Sequence, residues 1–364
     1  MFYCLFYPLR DWWSGFNVFR YITFRAAMAS VTAFLLTLLL APRVIRWLTG
    51  LKFGQHVRDK KEVRDLYDLH SHKKGTPTMG GLLILLALVG STLLWANPLN
   101  IKVVLVVLVT SAFGMIGFAD DYAKVKNGDS KGMSSRAKLM WQAAVAVAFL
   151  IVLLSDITYP MTLEIPFIKN STISLLQWWY MPFAFLVLVG TSNAVNLTDG
   201  LDGLAIGCTT MIAITLTILS YLTGHRVLAE YLLIPYVPGA GELAVFCAAL
   251  VGASLGFLWY NAPPANVFMG DVGSLALGGA IGSVAVLIKK ELLLVLIAGV
   301  FVLETASVIL QVASFKLTGR RIFRMSPIHH HFQLGGWAES KVTIRFWIIG
   351  AVLALISLST LKLR

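Results

Sequence analysis

LVTSAFGMIGFADD, residues 108–121, is a hydrophobic run that ends on two carboxylates, Asp120 and Asp121. Two further stretches repeat the pattern: GTSNAVNLTDGLDGLA at 190–205 carries Asp199 and Asp202, and NVFMGDVGSLALGG at 266–279 carries Asp271. Each abuts an apolar stretch long enough to cross a bilayer. A carboxylate costs roughly 2.5–3.5 kcal/mol at the centre of a membrane helix on insertion scales, so aspartates bordering such stretches point to a job. Several carboxylates on one face of a helix bundle suit a hard cation such as Mg²⁺, and such a cation acts on anionic groups.

Composition supports the membrane setting. Of 364 residues, 57% are hydrophobic and 13% charged, and the mean hydropathy is +0.77, outside the range of ordinary soluble domains. Apolar stretches of spanning length fall at 26–42, 78–96, 101–119, 139–155, 177–195, 203–223, 242–260, 272–288, 292–314 and 342–361. The expected fold is an all-α polytopic membrane protein of about ten transmembrane helices, forming one domain over residues 1–364. Glycines inside these runs, such as Gly252 and Gly256, permit close helix approach.

Charge sets the orientation. Segments 43–76, 120–138 and 315–345 hold 20 of the 30 Lys and Arg residues, so by the positive-inside rule they face the cytoplasm. Ten spans then place both termini on the periplasmic side, and every one of the five aspartates on the cytoplasmic side. The net charge of +12 is explained by this topology signal and by attraction to an anionic leaflet, and nucleic acid is not expected as a partner. Cys4, Cys208 and Cys247 have no ligand-type spacing and read as packing residues. The N-terminal MFYCLFYPLRDWWSGFNVFRYITFR lacks the uninterrupted apolar core of a signal peptide. Its aromatics mixed with Arg suggest a segment lying at the bilayer interface.

The polar loops carry the candidate chemistry. Neighbouring residues on a helix diverge by about 100 degrees, so only one of Asp120 and Asp121 is expected to face a ligand, the other orienting a lysine or water. Lys124 and Lys126 follow and also suit a helix C-terminus. Asn196, Asp199 and Asp202 recur at intervals of three and would line one face of a helix or tight turn. Gly200 and Gly203 would let a ligand approach the backbone. Capping of the next helix explains one of these aspartates, not the cluster. Asp271 is either a helix N-cap or a ligand; Gly270 and Gly273 would leave N–H groups open to phosphate. Phe268 offers a ring for stacking a base, or a membrane anchor.

KKGTPTMGG at 73–81 lacks the order of a P-loop; it offers Lys73, Lys74 and threonine hydroxyls at the mouth of a helix. Three consecutive histidines, His329, His330 and His331 in PIHHHFQ, fan out and suit phosphate and sugar oxygens better than a shared metal. Glu304 and Gln311, seven apart within one span, put a polar face inward, for substrate or for an interhelical hydrogen bond. A cation transporter would carry its carboxylates near mid-bilayer, whereas these gather at one side.

The motifs GTPTMGG, GFADDYAKV, NAVNLTDGLDGLA, FLWYNAPPANVFMGDVGSLALGGA and ETASVILQVASFKLTGRRIFRMSPIHHHFQLGGW resemble the polyprenyl-phosphate N-acetylhexosamine 1-phosphate transferases. Within them they are similar to the phospho-N-acetylmuramoyl-pentapeptide transferases. The likeness runs from about residue 14 to the C-terminus. The loop HVRDKKEVRDLYDLHSHKKG at 56–75 departs by a few extra residues, leaving His70 and His72 without an assigned role.

The resemblance implies transfer of phospho-N-acetylmuramoyl-pentapeptide from UDP to undecaprenyl phosphate, yielding lipid I and UMP, at the inner face of the bacterial inner membrane. Transfer of N-acetylglucosamine 1-phosphate is the alternative within the superfamily, against which PIHHHFQ argues. The resemblance also implies Mg²⁺, a homodimer and a place in peptidoglycan synthesis, and so in cell shape and division. Residue by residue, Asp271 resembles the Mg²⁺ ligand, and Asp120 and Asp121 the aspartate pair, one member of which is proposed to deprotonate the lipid phosphate or assist the metal. Asn196 and Asp199 match polar active-site positions. Gly200, Leu201, Asp202 and Phe268 resemble the uridine pocket. Lys73, Thr78, Lys124, Asn261 and Gln311 match other substrate contacts, and His329 to His331 the loop that recognises the muramoyl part.

Overall fold

A computed structural model describes residues 1–50, 75–127, 132–156, 159–168 and 172–361. After α1 (Phe2–Phe6) and two 3₁₀ turns, the chain forms α2 (Ile22–Gly50), α3 (Gly81–Trp95), α4 (Ile101–Asn127) and α5 (Ser135–Leu154). A two-stranded hairpin, β1 (Thr162–Glu164) and β2 (Thr172–Ser174), pairs antiparallel with Leu163 opposite Ile173. Then follow α6 (Gln177–Thr198), α7 (Leu204–Gly224), the short α8 (Arg226–Tyr231), α9 (Leu243–Asn261) and α10 (Gly270–Leu287). Last come α11 (Glu291–Ile297), α12 (Gly299–Thr318), α13 (Ile328–Gln333) and α14 (Glu339–Ser359).

Among the described residues nine helices are long and apolar enough to span a membrane, with α3 a tenth, shorter apolar helix. Two expected spans differ in detail. The one at 78–96 becomes helical only from Gly81, because residues 77–80 run alongside 267–269: Phe268 N–H donates to Pro77 O at 2.8 Å, and Gly80 N–H to Phe268 O at 2.8 Å. The one at 292–314 is two helices, interrupted at Ala298, whose backbone leaves helical geometry before Gly299.

The bundle is organised around α10, whose sequence GDVGSLALGGAIGSVAVL is almost entirely small and apolar and is buried on all sides. It packs mainly on α4 and α6, while α9 packs on α2 and α7, and α14 on α7. Small residues let backbones approach where lipid supplies no hydrophobic drive between helices. Gly117 of α4 shows this: an added Cβ would collide with the backbone of Asp271 and Val272 at the start of α10.

A proline inside a membrane helix frees the carbonyl four residues earlier, which needs another donor in a bilayer. Pro42 lies inside α2, and the hydroxyl of Tyr260 donates to the Leu38 carbonyl at 3.3 Å. The sequence thus supplies both the break and its repair.

Candidate active site

Three helix ends meet at one side of the bundle: the C-terminal part of α4, the C-terminal turn of α6 and the N-terminal turn of α10. They bring Asp120 and Asp121, Asn196, and Asp271 together. One oxygen from each of the three carboxylates lies within 4.8 Å of the others. Lys124 Nζ stands among them, 2.6 Å from Asp120 Oδ2, 3.1 Å from Asp121 Oδ1 and 3.1 Å from Asp271 Oδ2. Lys138, from the first turns of α5, lies 2.6 Å from Asp271 Oδ2 and 3.2 Å from Asp120 Oδ2.

Both members of the aspartate pair therefore face the cluster, correcting the expectation that only one would. Lys124 is three residues from Asp121 and four from Asp120, so a single flexible ammonium reaches both. Each carboxylate is also pinned: Asp120 accepts from Met133 N–H at 2.8 Å and Asp121 from Val272 N–H at 3.2 Å. Asp271 Oδ1 accepts from the Asn196 side-chain amide at 2.8 Å, and the same nitrogen reaches Ser274 Oγ at 2.8 Å. Oxygen-only donors of this kind, three of them anionic, fit a hard divalent cation.

Asn196, Asp199 and Asp202 do not share one face. Helix α6 ends at Thr198, and Asp199 is its C-cap with a non-helical ψ of 55°, so the chain turns before Asp202. Asp199 stays near the cluster. Burial first, and then the charges of Asp271, Asp121 and Asp202, push its carboxyl up to about 8. Asp202 is buried and instead braces a loop, accepting from Ala265 N–H at 3.0 Å while its own N–H donates to Glu339 Oε1 at 2.8 Å.

The remaining expected contact residues fall around this centre. Thr78 lies beside Gly270, carried there by the pairing of 77–81 with 267–270. Phe268 is half-buried on that paired segment. Leu201 has a core side chain, so only its backbone is available to a ligand. Asn261 links two loops, accepting from Gly203 N–H at 3.1 Å and donating to Val267 O at 2.8 Å. Gln311 anchors the segment after α12, accepting from Ile322 and Phe323 N–H groups and donating to Phe323 O at 3.0 Å.

His330 Nδ1 is 2.9 Å from Gln333 Oε1, and His331 Nδ1 accepts from Arg324 N–H at 3.2 Å. His329 is buried against Glu304. Gly200, expected to admit a ligand, has its Cβ direction filled by the His329 ring. Lys73, with His70 and His72, lies outside the described residues. Sequence reading passed over Lys138 and Ser274. A signal for Lys138 was present: a cation in the opening turns of a helix, after the Ser134 N-cap, opposes the helix dipole and needs an anionic partner.

The class of this membrane bundle is given by a family model, Glycosyl transferase family 4, which matches residues 103–289 and so includes Asp120, Asp121, Lys124, Lys138, Asn196 and Asp271. A phospho-N-acetylmuramoyl-pentapeptide-transferase signature matches residues 73–85. Proteins of that name from Nitratidesulfovibrio vulgaris and Oleidesulfovibrio alaskensis are 55% and 52% identical to this chain over 365 residues, covering all of both chains. One from Desulfotalea psychrophila is 54% identical over 367 residues, again at full coverage. The chain belongs to the phospho-N-acetylmuramoyl-pentapeptide transferase family, and it is a multi-pass protein of the bacterial inner membrane.

Proposed function

We propose that this site transfers phospho-N-acetylmuramoyl-pentapeptide from its UDP ester to undecaprenyl phosphate, releasing UMP and forming lipid I for peptidoglycan synthesis. The observation that carries this reading is the convergence of Asp120, Asp121 and Asp271 with Lys124 and Lys138 at a single end of the bundle. An oxygen of the lipid phosphate attacks the sugar-bearing phosphorus of the donor, the bond from that phosphorus to the bridging oxygen breaks, and UMP leaves with the bridging oxygen. Both partners are anions, so the step depends on neutralising charge while holding attacking and leaving oxygens in line.

Lys124 and Lys138 are the residues placed to do this, swinging from carboxylate to phosphate as substrate enters. Asn196 holds Asp271 in place. Asp271, with Asp120 and Asp121, would hold Mg²⁺, which supplies Lewis-acid stabilisation of the phosphoryl oxygens. A phosphate monoester has a second pKa near about 6, so the lipid phosphate is largely dianionic at neutral pH and needs no strong base. In this reading the lipid phosphate itself is the nucleophile, with no covalent intermediate on Asp120 or Asp121.

The lipid acceptor reaches the site from the inner leaflet and the sugar nucleotide from the cytosol. The protein acts as a homodimer in this reading. The test is UMP release by the purified protein given both substrates, with Mg²⁺ or with chelator. Metal-dependent release coupled to a lipid-linked product is expected. Activity with UDP-N-acetylglucosamine in place of the pentapeptide donor would overturn the substrate assignment, and a phospho-sugar trapped on an aspartate without lipid would overturn direct attack.

A further inference from the structure

Glu304 of α12 and His329 of α13 are both fully buried, and Glu304 Oε2 lies 3.1 Å from His329 Nδ1. A carboxylate so deep is costly unless its charge is matched or a proton is shared, and the imidazole is the group that meets it. Neither ring nitrogen and neither Glu304 oxygen makes a hydrogen bond of ordinary geometry: Nδ1 meets the carboxylate as a close charge contact, and Nε2 faces the backbone of Gly200. A Cβ at position 200 would collide with that nitrogen. The ring is thus held between a carboxylate and a glycine that has no side chain.

Gly200 belongs to the turn from α6 to α7 that carries Asp199 and Asp202. Other anchors of that turn come from elsewhere: Asn261 to Gly203 N–H, Glu339 to Asp202 N–H, and the Trp347 indole N–H to Gly203 O at 3.1 Å. His329 packs against the turn from the helix that bears His330 and His331. Which nitrogen of a histidine carries its proton is set by what the other side of the ring meets. A carboxylate 3.1 Å from Nδ1 favours the proton on that nitrogen.

We propose that Glu304 is a positioning residue for sugar-nucleotide binding, acting through His329 to hold the 199–203 turn and the α13 histidines as one wall of the substrate cleft. The kinetic part of this inference rests on the reaction proposed above; the ring geometry does not. Glu304 itself touches no substrate. A residue needed only for volume would be replaceable by any side chain of similar size, whereas a positioning carboxylate is replaceable only by another acceptor.

The experiment uses the full chain in detergent, with Glu304→Ala, Glu304→Gln, Glu304→Asp and Gly200→Ala. In Glu304→Ala and Gly200→Ala the KM for the UDP-linked donor is expected to rise about tenfold, the KM for undecaprenyl phosphate to stay within about twofold, and Glu304→Gln to recover most of the loss because an amide oxygen can still stand opposite Nδ1. In parallel, ¹⁵N spectra of histidine-labelled protein, with the ring assigned by its loss in His329→Gln, should show Nδ1 protonated in the wild type and no longer held so in Glu304→Ala.

Equal rises in both KM values, or a Gln variant as impaired as the Ala variant at equal thermal midpoint, would reduce Glu304 to packing. An unchanged ring spectrum in Glu304→Ala would overturn the pairing itself. Should Glu304→Ala not fold, Glu304→Asp withdraws the oxygen by one methylene, and the same comparison of the two KM values decides. Were the wild type to turn over neither UDP-sugar, the reaction assigned above would fall, while the ring spectra would still decide the Glu304 pairing.

Discussion

Carboxylates in one site meet opposite environments, and their substitutions should separate accordingly. Asp271 faces two lysines and accepts from Asn196, so it is built to stay ionised and bind a cation. Asp271→Asn is expected to lower metal-dependent UMP release by about 10²-fold or more. Phe268→Ala should leave metal affinity intact and weaken UMP binding by about 1–3 kcal/mol, the worth of stacking a base on an aromatic ring. Calorimetry with Mg²⁺ and with UMP on each variant checks this, and equal losses of metal affinity would refute it. Asp199 is held by burial and by neighbouring carboxylates at about 8, against about 3.9 in an unfolded chain. The folded protein then binds the Asp199 proton more tightly, so stability falls as pH rises from about 4 to about 8. Asp199→Asn, neutral throughout, should gain in thermal midpoint over the wild type across about pH 5 to 9 in chelator. Parallel curves would mean that Asp199 is ionised over that whole range.

Elements are joined at the far end of α10 from the site by a second ionic cluster, of structural use. An 18-residue helix is about 27 Å long, so Lys289 and Lys290, just past Leu287, lie well away from Asp271. Lys290 pairs with Glu164 of β1, and Lys289 Nζ reaches the hydroxyls of Tyr159 and Tyr180 at 3.1 and 2.8 Å. Removing one partner of a buried pair leaves the other charge stranded, at a cost of about 3–5 kcal/mol. Glu164→Ala should therefore lower the thermal midpoint markedly, and adding Lys290→Met should restore most of it; loss of UMP release at low temperature, with the fold intact, would instead tie the hairpin to activity. This hairpin was not legible in the sequence, because three-residue strands give no periodic signal. The ten apolar stretches were legible, since a bilayer demands long apolar helices. The break at Ala298 and the late start of α3 were not, for both arise from what the backbone packs against. At the site, the five aspartates could be grouped from topology alone. The bracing roles of Asn261, Gln311 and Asp202 depend on partners far along the chain, and the shared face expected of Asn196, Asp199 and Asp202 failed because α6 ends at Thr198.

The whole molecule reads as a sided machine, and its sidedness can be checked without touching the site. Gly81 at the start of α3 abuts Gly273, two residues beyond Asp271, whereas the α-amino group of Met1 donates to Leu93 O at 2.8 Å near the other end of the same helix. The N-terminus and the carboxylate cluster therefore lie at opposite ends of α3, about 22 Å apart along its axis for 15 residues. At the other terminus, α14 begins at Glu339, which binds the Asp202 loop, and runs 21 residues away from it. Basic residues concentrate in the loops on the site's side, which the positive-inside rule assigns to the cytoplasm. A cytosolic sugar nucleotide requires the same placement. Cys4 is exposed near the N-terminus, while Cys208 and Cys247 are buried within α7 and α9. A membrane-impermeant maleimide applied to spheroplasts should thus modify Cys4 alone, and Cys4→Ser should abolish the label, since reaction requires an accessible thiol. Labelling confined to inverted vesicles would put the carboxylate cluster on the periplasmic face, out of reach of its nucleotide donor, and would overturn the orientation and the proposed reaction together.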